Sequence, residues 1–407
     1  MLDLKFIQNK ELLAPLQKEP HAFARYRIDA SKYGPELFEE IAIGQSLGAW
    51  DEKEVSPELL KQKIAHITAV HSDGTFHWAE VAFPINIWHG KLQWLLTILF
   101  GKMSFFEGVQ ISDVWFSGDC FEQPQASHIS NTPKASGSFA PSSKLQGPRH
   151  STAELRTLTR ANANTPLLMG ILKPNVAMSA GKIADLYFAA AQAGVHLVKD
   201  DEIRHDATST EILERIGAVA KVAEQQNLKT IYAPHLQLDG EISDSFLRDL
   251  ENAGARALLL NVWPNGIGSL QRLRARTNLV LIAHPALAGA FGIRAETATL
   301  HPRVTLGQLL RAAGADLSLF PSPYGKLGLP KPVALAIADA CLTTEHWPIK
   351  GTTPVPSAGI KPEHGLLAIA DFGNDFVLNA GTGIFAGKQG AAANIKAFRA
   401  ELYGEHA

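Results

Sequence analysis

The segment Val198-Lys199-Asp200-Asp201-Glu202 sets a lysine beside three carboxylates at the end of an apolar run. A second lysine, Lys173, closes the apolar run before it. Paired carboxylates offer hard oxygen ligands, which suit Mg²⁺ and leave coordination positions for water or substrate. An ammonium cannot ligate a cation. A carbamate made from that amine and CO₂ can, because it adds an anionic oxygen. Side-chain alternation along a strand points Lys199 and Asp201 to one face, and Glu202 sits where strand gives way to loop. The chemistry these residues support is stabilisation of an enolate beside a cation. The plain alternative is a solvated acidic loop with a lysine partner, and for Lys173 simple neutralisation of those acids.

Other residues could serve such a site. His284, followed by Pro285, could hold a phosphate or move a proton near neutral pH, or be structural. Ser357-Ala358-Gly359 and Gly381-Thr382-Gly383 are short glycine motifs that let backbone N–H groups approach a phosphate, or else plain turns. Pro321-Ser322-Pro323-Tyr324-Gly325-Lys326 reads as a stiff loop or a lid, with Lys326 a substrate contact or an exposed charge. Lys102 follows an apolar helical stretch, where a cation complements the helix dipole. Its residue type alone gives it no catalytic duty.

The elements that must position these residues follow a rhythm. Apolar strand-like runs over 167–174, 195–202, 230–235, 257–263, 279–284, 316–322, 355–360 and 376–381 each end near a polar residue. Helical stretches over 180–193, 209–225, 243–253, 268–275, 305–313, 332–341, 363–371 and 391–402 separate or follow them. Ala-Gly pairs at 193–194, 253–254 and 313–314 suit left-handed helix C-caps. Eight such units predict a (β/α)₈ barrel, whose active site lies at the C-terminal strand ends. Lys173, Lys199, Asp201, Glu202, His235, Asn261, His284, Ser322, Ser357 and Asn379 then share one mouth. Ahead of it, strand-like content over 21–28 and 74–87 and helical content over 57–67 and 92–100 predict a smaller α+β domain. The organisation expected is an α+β domain over 1–122, a Ser- and Pro-rich connection over 123–150 and the barrel over 151–407.

Composition narrows the partners. The chain has 407 residues, 46% hydrophobic, with a formal net charge of -2 and no basic block. No strong field draws nucleic acid or an anionic membrane. The longest apolar stretches are too short to span a bilayer. Two cysteines, Cys120 and Cys341, far apart in sequence, fit a reducing compartment. The N-terminus lacks a signal-peptide apolar run. A cytoplasmic protein is expected.

The chain resembles the large subunit of ribulose-1,5-bisphosphate carboxylase/oxygenase in Gly147-Pro148, Leu172-Lys173-Pro174, Lys199-Asp200-Asp201-Glu202, Ser357-Ala358-Gly359-Ile360 and Gly381-Thr382-Gly383. Ala283-His284-Pro285-Ala286, Phe320-Pro321-Ser322-Pro323-Tyr324-Gly325 and Asn379-Ala380-Gly381 resemble the Rubisco-like branch, in particular the 2,3-diketo-5-methylthiopentyl-1-phosphate enolases of methionine salvage. The resemblance implies an isomerase that enolises a phosphorylated diketone with Mg²⁺. It implies a carbamate on Lys199, with Asp201 and Glu202 as the other protein ligands. It implies substrate or phosphate contacts from Lys173, His284, Lys326, Ser357, Ala358, Gly381, Thr382 and Gly383. Phe100-Gly101-Lys102 matches the segment carrying the general base, so Lys102 inherits that role, supplied across a homodimer with shared sites. Pro285 stands where carboxylases carry a phosphate-binding arginine, which argues against a bisphosphate. Lys326 and Thr382 depart from the enolase pattern and keep open an isomerase, decarboxylase or carboxylase acting on another sugar phosphate.

Overall fold

The computed structural model describes residues 20–48, 63–122 and 144–404, apart from 174, 177, 205–207, 237–239, 292–298, 326–327 and 386–389. The first unit is built on strands β1 (His21–Asp29), β2 (His66–Ser72), β3 (Phe76–Pro84) and β4 (Val109–Phe116). Alternation sets its face. Ala22, Ala24, Tyr26 and Ile28 of β1 are fully buried, while Phe23, Arg25 and Arg27 between them are not. Tyr26 donates its hydroxyl to Leu99 O at 2.7 Å, which ties the sheet to the helical segment beside Lys102. Residues 57–62 of the helix expected over 57–67 lie outside the described residues. Its end is corrected, since His66 opens β2 and the β-branched residues Ile67, Thr68 and Val70 favour a strand there. The helix Leu37–Ser46 and strand β4 were not anticipated.

The barrel consists of β5 (Leu167–Ile171), β6 (Leu197–Lys199), β7 (Ile231–Ala233), β8 (Ala257–Asn261), β9 (Val280–His284), β11 (Leu317–Pro321), β12 (Thr353–Ser357) and β13 (Val377–Ala380). The short β10 (Thr299–Leu300) leaves this rhythm and pairs in parallel with β4, joining the two units. Parallel ladders run β13-β5-β6-β7 and β12-β11-β9-β8. A bridge from His235 to Leu259 links β7 to β8, and β12 packs against β13, so the two halves close into one barrel. All eight expected strands form. Most are shorter than the apolar runs, because their last polar residues leave the ladder. The helix Thr152–Thr159 was missed, although its capping box is written as Ser151-Thr152-Ala153-Glu154. Among the described residues, no helix is long and apolar enough to cross a membrane.

Alternation decides what fills the barrel. Met169, Leu197, Ile231, Leu259, Ile282 and Leu319 belong to one buried interior cluster. At the opposite end from the polar strand tips, Asp316 precedes β11. Its carboxylate accepts from the backbone N–H of Arg149 at 2.7 Å, His150 at 2.7 Å and Leu281 at 2.8 Å. It also pairs with Arg274 at 2.8 Å, both side chains being fully buried. This network pins the entry segment to the barrel floor. Gly314 makes room for it. Its φ is +95°, and a Cβ there would lie 2.2 Å from Arg274 Cγ.

Replacing Asp316 with Asn leaves the Arg274 guanidinium buried without its counter-charge, and such a loss costs roughly 3–5 kcal/mol. A large fall in the denaturation midpoint is expected. A loss below about 1 kcal/mol would mean that the pair contributes little to stability.

Candidate functional site

The interior cluster also fixes which polar residues crown it. Two positions beyond Leu197, Leu259, Ile282, Val355 and Val377 stand Lys199, Asn261, His284, Ser357 and Asn379. With period-two alternation these side chains point into the barrel mouth. His235, two beyond the interior Ala233 and bridged to Leu259, joins them.

Lys199 is fully buried. Its ammonium donates to Asp200 O at 3.0 Å and lies 3.8 Å from Glu202 Oε2. Burial penalises the charged form more than Glu202 and Asp201 restore it, and the amine is lowered to about 8. Lys173 Nζ meets Asp201 Oδ2 at 2.9 Å. A Cβ on Gly381 would lie 3.4 Å from Lys173 Cδ, so this lysine runs from the acids toward the loop after β13. Burial, then the adjacent Glu202 carboxyl, raises Asp201 above its ordinary value. Desolvation pushes Glu202 upward too, but its contact with Asp201 and the Lys199 charge outweigh it and hold Glu202 below its ordinary value.

His284 has a defined tautomer. Its Nδ1 accepts from Ala286 N at 3.2 Å, so Nε2 carries the proton and faces Glu202 Oε2 at 3.3 Å. Burial first, then the nearby Lys199 and His235, keeps its pKa well below the ordinary histidine value. The ring is therefore a neutral donor at pH 7.

Asp200 points the other way, between sheet and helices. It accepts from Asn175 Nδ2 at 3.1 Å, Tyr232 Oη at 2.8 Å and His235 N at 2.9 Å, and pairs with Arg215 at 3.0 Å. Sequence reasoning gave this aspartate no role. It anchors the end of β6 to β7 and to the helix Ser209–Gln225, and so holds its neighbours Lys199 and Asp201 in place. The distant Arg215 and Tyr232 left no local signal.

On the opposite wall Asn379 Nδ2 donates to Ser357 Oγ at 2.7 Å. Ala358 adopts φ 66° and Gly359 φ 72°. A left-handed conformation at a non-glycine residue is uncommon and clusters at functional sites. Ser322 N donates to Ser357 O at 2.7 Å, and a Cβ on Gly325 would lie 2.3 Å from Ala358 O. The loop after β11 thus packs on the turn after β12. Gly383 has a packing reason as well, since a Cβ there would come within 2.4 Å of Ile360 O. Gly381 precedes the short helix Thr382–Phe385, whose first turn carries the backbone N–H groups of Thr382 and Gly383. Lys326 lies outside the described residues. Lys102 is exposed in the turn Lys102–Phe105 of the first unit and joins none of the hydrogen bonds or ion pairs described at the barrel mouth.

The acids fit a divalent cation. Asp201 is 6% exposed, and its Oδ1 has no hydrogen-bond partner among the described protein groups. Among the described residues no group of three or more His, Cys, Asp or Glu side chains comes together as ligands. A cation held by Asp201 and Glu202 would keep further coordination positions for water, substrate or another group.

Comparison with known proteins identifies the family. The family described as ribulose bisphosphate carboxylase large chain, catalytic domain, matches residues 152–404. A 2,3-diketo-5-methylthiopentyl-1-phosphate enolase from Bacillus licheniformis is 34% identical over 376 residues, spanning 89% of this chain and 87% of its own. The enolase of that name from Geobacillus kaustophilus is 33% identical over 387 residues, with coverages of 89% and 87%. A rubisco-like protein from Alicyclobacillus acidocaldarius superposes with a TM-score of 0.76 at 27% identity, covering 95% of this chain and 93% of its own. The octameric carboxylase/oxygenase of Pyrococcus horikoshii shares the fold, with a TM-score of 0.77 at 21% identity over 98% of this chain and 90% of its own. By family match, by identity to relatives and by fold, this chain belongs to the ribulose bisphosphate carboxylase large-chain family.

Proposed function

We propose that this protein is an isomerase that enolises 2,3-diketo-5-methylthiopentyl-1-phosphate in methionine salvage. The observation that carries the reading is the buried Lys199 beside Asp201 and Glu202 at the mouth of a barrel whose relatives are enolases of that name. Asp201, Glu202 and a carbamate on Lys199 would hold Mg²⁺, which when bound supplies positive charge to stabilise the negative charge developing on substrate oxygen.

The chain's own residues carry the remaining work. Lys173 holds Asp201 in place at 2.9 Å and keeps an ammonium beside the substrate's path toward Gly381. His284 offers a neutral N–H, which favours oxygen charge without adding a buried cation. Ser357 with the backbone of Ala358, Gly381, Thr382 and Gly383 binds the single phosphate, on the side where barrels of this type place one. Lys326 contacts the substrate. Lys102 removes the carbon-bound proton. Its exposure on the first unit suits a base delivered by the partner of a homodimer. The protein works in the cytoplasm.

Carbamate formation requires the neutral amine. An ordinary lysine near 10.5 is almost wholly charged at pH 8, whereas one lowered to about 8 is half neutral there. With ¹³C-bicarbonate, a carbamate resonance should grow as pH rises through about 8 and then level off. It should vanish in Lys199→Arg, whose guanidinium stays protonated. A resonance that survives that substitution would place the adduct elsewhere.

Activity is tested by solvent-deuterium exchange at the substrate carbon and by turnover. Lys102→Ala should lower exchange by roughly 10²–10⁴-fold while Mg²⁺ binding is retained. Ordinary exchange in that variant removes Lys102 as the base. Fixation of CO₂ on ribulose 1,5-bisphosphate, without turnover of the diketone, would overturn the enolase reading.

A further inference from the structure

Two side chains at the barrel mouth have their hydrogen-bonding sense fixed by backbone carbonyls. His235 Nδ1 lies 2.5 Å from Arg204 O. A carbonyl only accepts, so Nδ1 carries the proton and Nε2 presents a lone pair. Asn261 Nδ2 donates to Glu202 O at 3.1 Å, which leaves Asn261 Oδ1 as an acceptor. Neither His235 Nε2 nor Asn261 Oδ1 meets a donor among the described protein groups, and His235 is 2% exposed. The ring lies within electrostatic reach of Lys199, Glu202 and His284, and burial lowers its pKa. The Lys199 ammonium does not fill the lone pair, since it donates to Asp200 O instead. The two acceptors lie at the ends of the neighbouring strands β7 and β8, across the barrel from the loops after β12 and β13.

Which ligand group would satisfy them depends on the substrate, so the inference rests on the enolase reading. A phosphorylated diketone carries carbonyl, thioether and phosphate acceptors and no hydroxyl. Its enol carries one O–H. A lone pair aimed at a carbonyl oxygen is repulsive, and the same lone pair aimed at a hydroxyl is satisfied. We infer that His235 Nε2 is a positioning acceptor for the hydroxyl that only the enol form offers, with Asn261 Oδ1 a second acceptor at the end of the next strand. The inference concerns binding alone and leaves the proton balance of the isomerisation unchanged, carbon losing the proton that oxygen gains.

Two phosphorylated ketones that differ by one hydroxyl, dihydroxyacetone phosphate and hydroxyacetone phosphate, test this by calorimetric titration. The full-length protein is loaded with Mg²⁺ and bicarbonate. The unaltered protein should bind the hydroxyl-bearing ligand about tenfold more tightly. His235→Phe should lose that preference and keep its affinity for hydroxyacetone phosphate, which also reports an intact site. His235→Gln, which can again accept, should recover part of it. An equal preference in the unaltered protein and His235→Phe overturns the assignment. Turnover of the diketone is read in the same preparations. Turnover without a hydroxyl preference removes only the role of His235. Preference without turnover supports the acceptor and removes the enolase reading.

Discussion

The site depends on the desolvation of one amine. Lys199 stands above a dry layer of aliphatic side chains and has no exposed surface, so no water stabilises its charge. Its nearest carboxylate oxygen lies 3.8 Å away, too far for a hydrogen bond. The neutral form becomes far more accessible than for an ordinary lysine. Glu202 and Asp201 remain beside that nitrogen and act on its charge. A more exposed lysine would stay an ammonium, and a more tightly paired one would be spent on its partner.

The two ends of the barrel treat their buried carboxylates differently. On the floor, Asp316 accepts three backbone N–H groups and pairs with Arg274, so both carboxylate oxygens are satisfied. At the mouth, Asp201 Oδ1, His235 Nε2, Asn261 Oδ1 and Asn379 Oδ1 have no donor among the described groups. Unsatisfied acceptors are costly unless a ligand completes them. The floor is built for stability and the mouth for a guest. Asp200 connects the two demands, because its outward network stiffens the strand end from which Lys199 and Asp201 project.

The first unit is more than an appendage. Strand β10, drawn from the barrel half of the sequence, pairs with β4, and Val114 N donates to Gln308 Oε1 at 2.9 Å. These contacts fix the orientation of the small sheet on the barrel. They leave Lys102 and Phe105 exposed on the first unit.

Much of this was legible in the chain. Short apolar runs ending in polar residues give the barrel, because period-two alternation and strand ends are local properties. The Ala-Gly pairs mark helix ends, and Gly194, Gly254 and Gly314 all take the left-handed conformation there. The Lys-Asp-Asp-Glu run with Lys173 identifies the acidic centre from residue type and spacing. The start of β2 was misread because helical and strand patterns overlap over a few residues. Which of the two adjacent aspartates faces the mouth follows from alternation. That the other is clamped by Arg215, Tyr232 and Asn175 does not, since those partners come from different elements. The tautomers of His235 and His284, the lowered pKa of Lys199 and the unsatisfied acceptors belong to the tertiary structure alone. Sequence sets the chemical groups and their local direction, whereas burial and hydrogen-bonding sense arise only when distant strands close around them and exclude water.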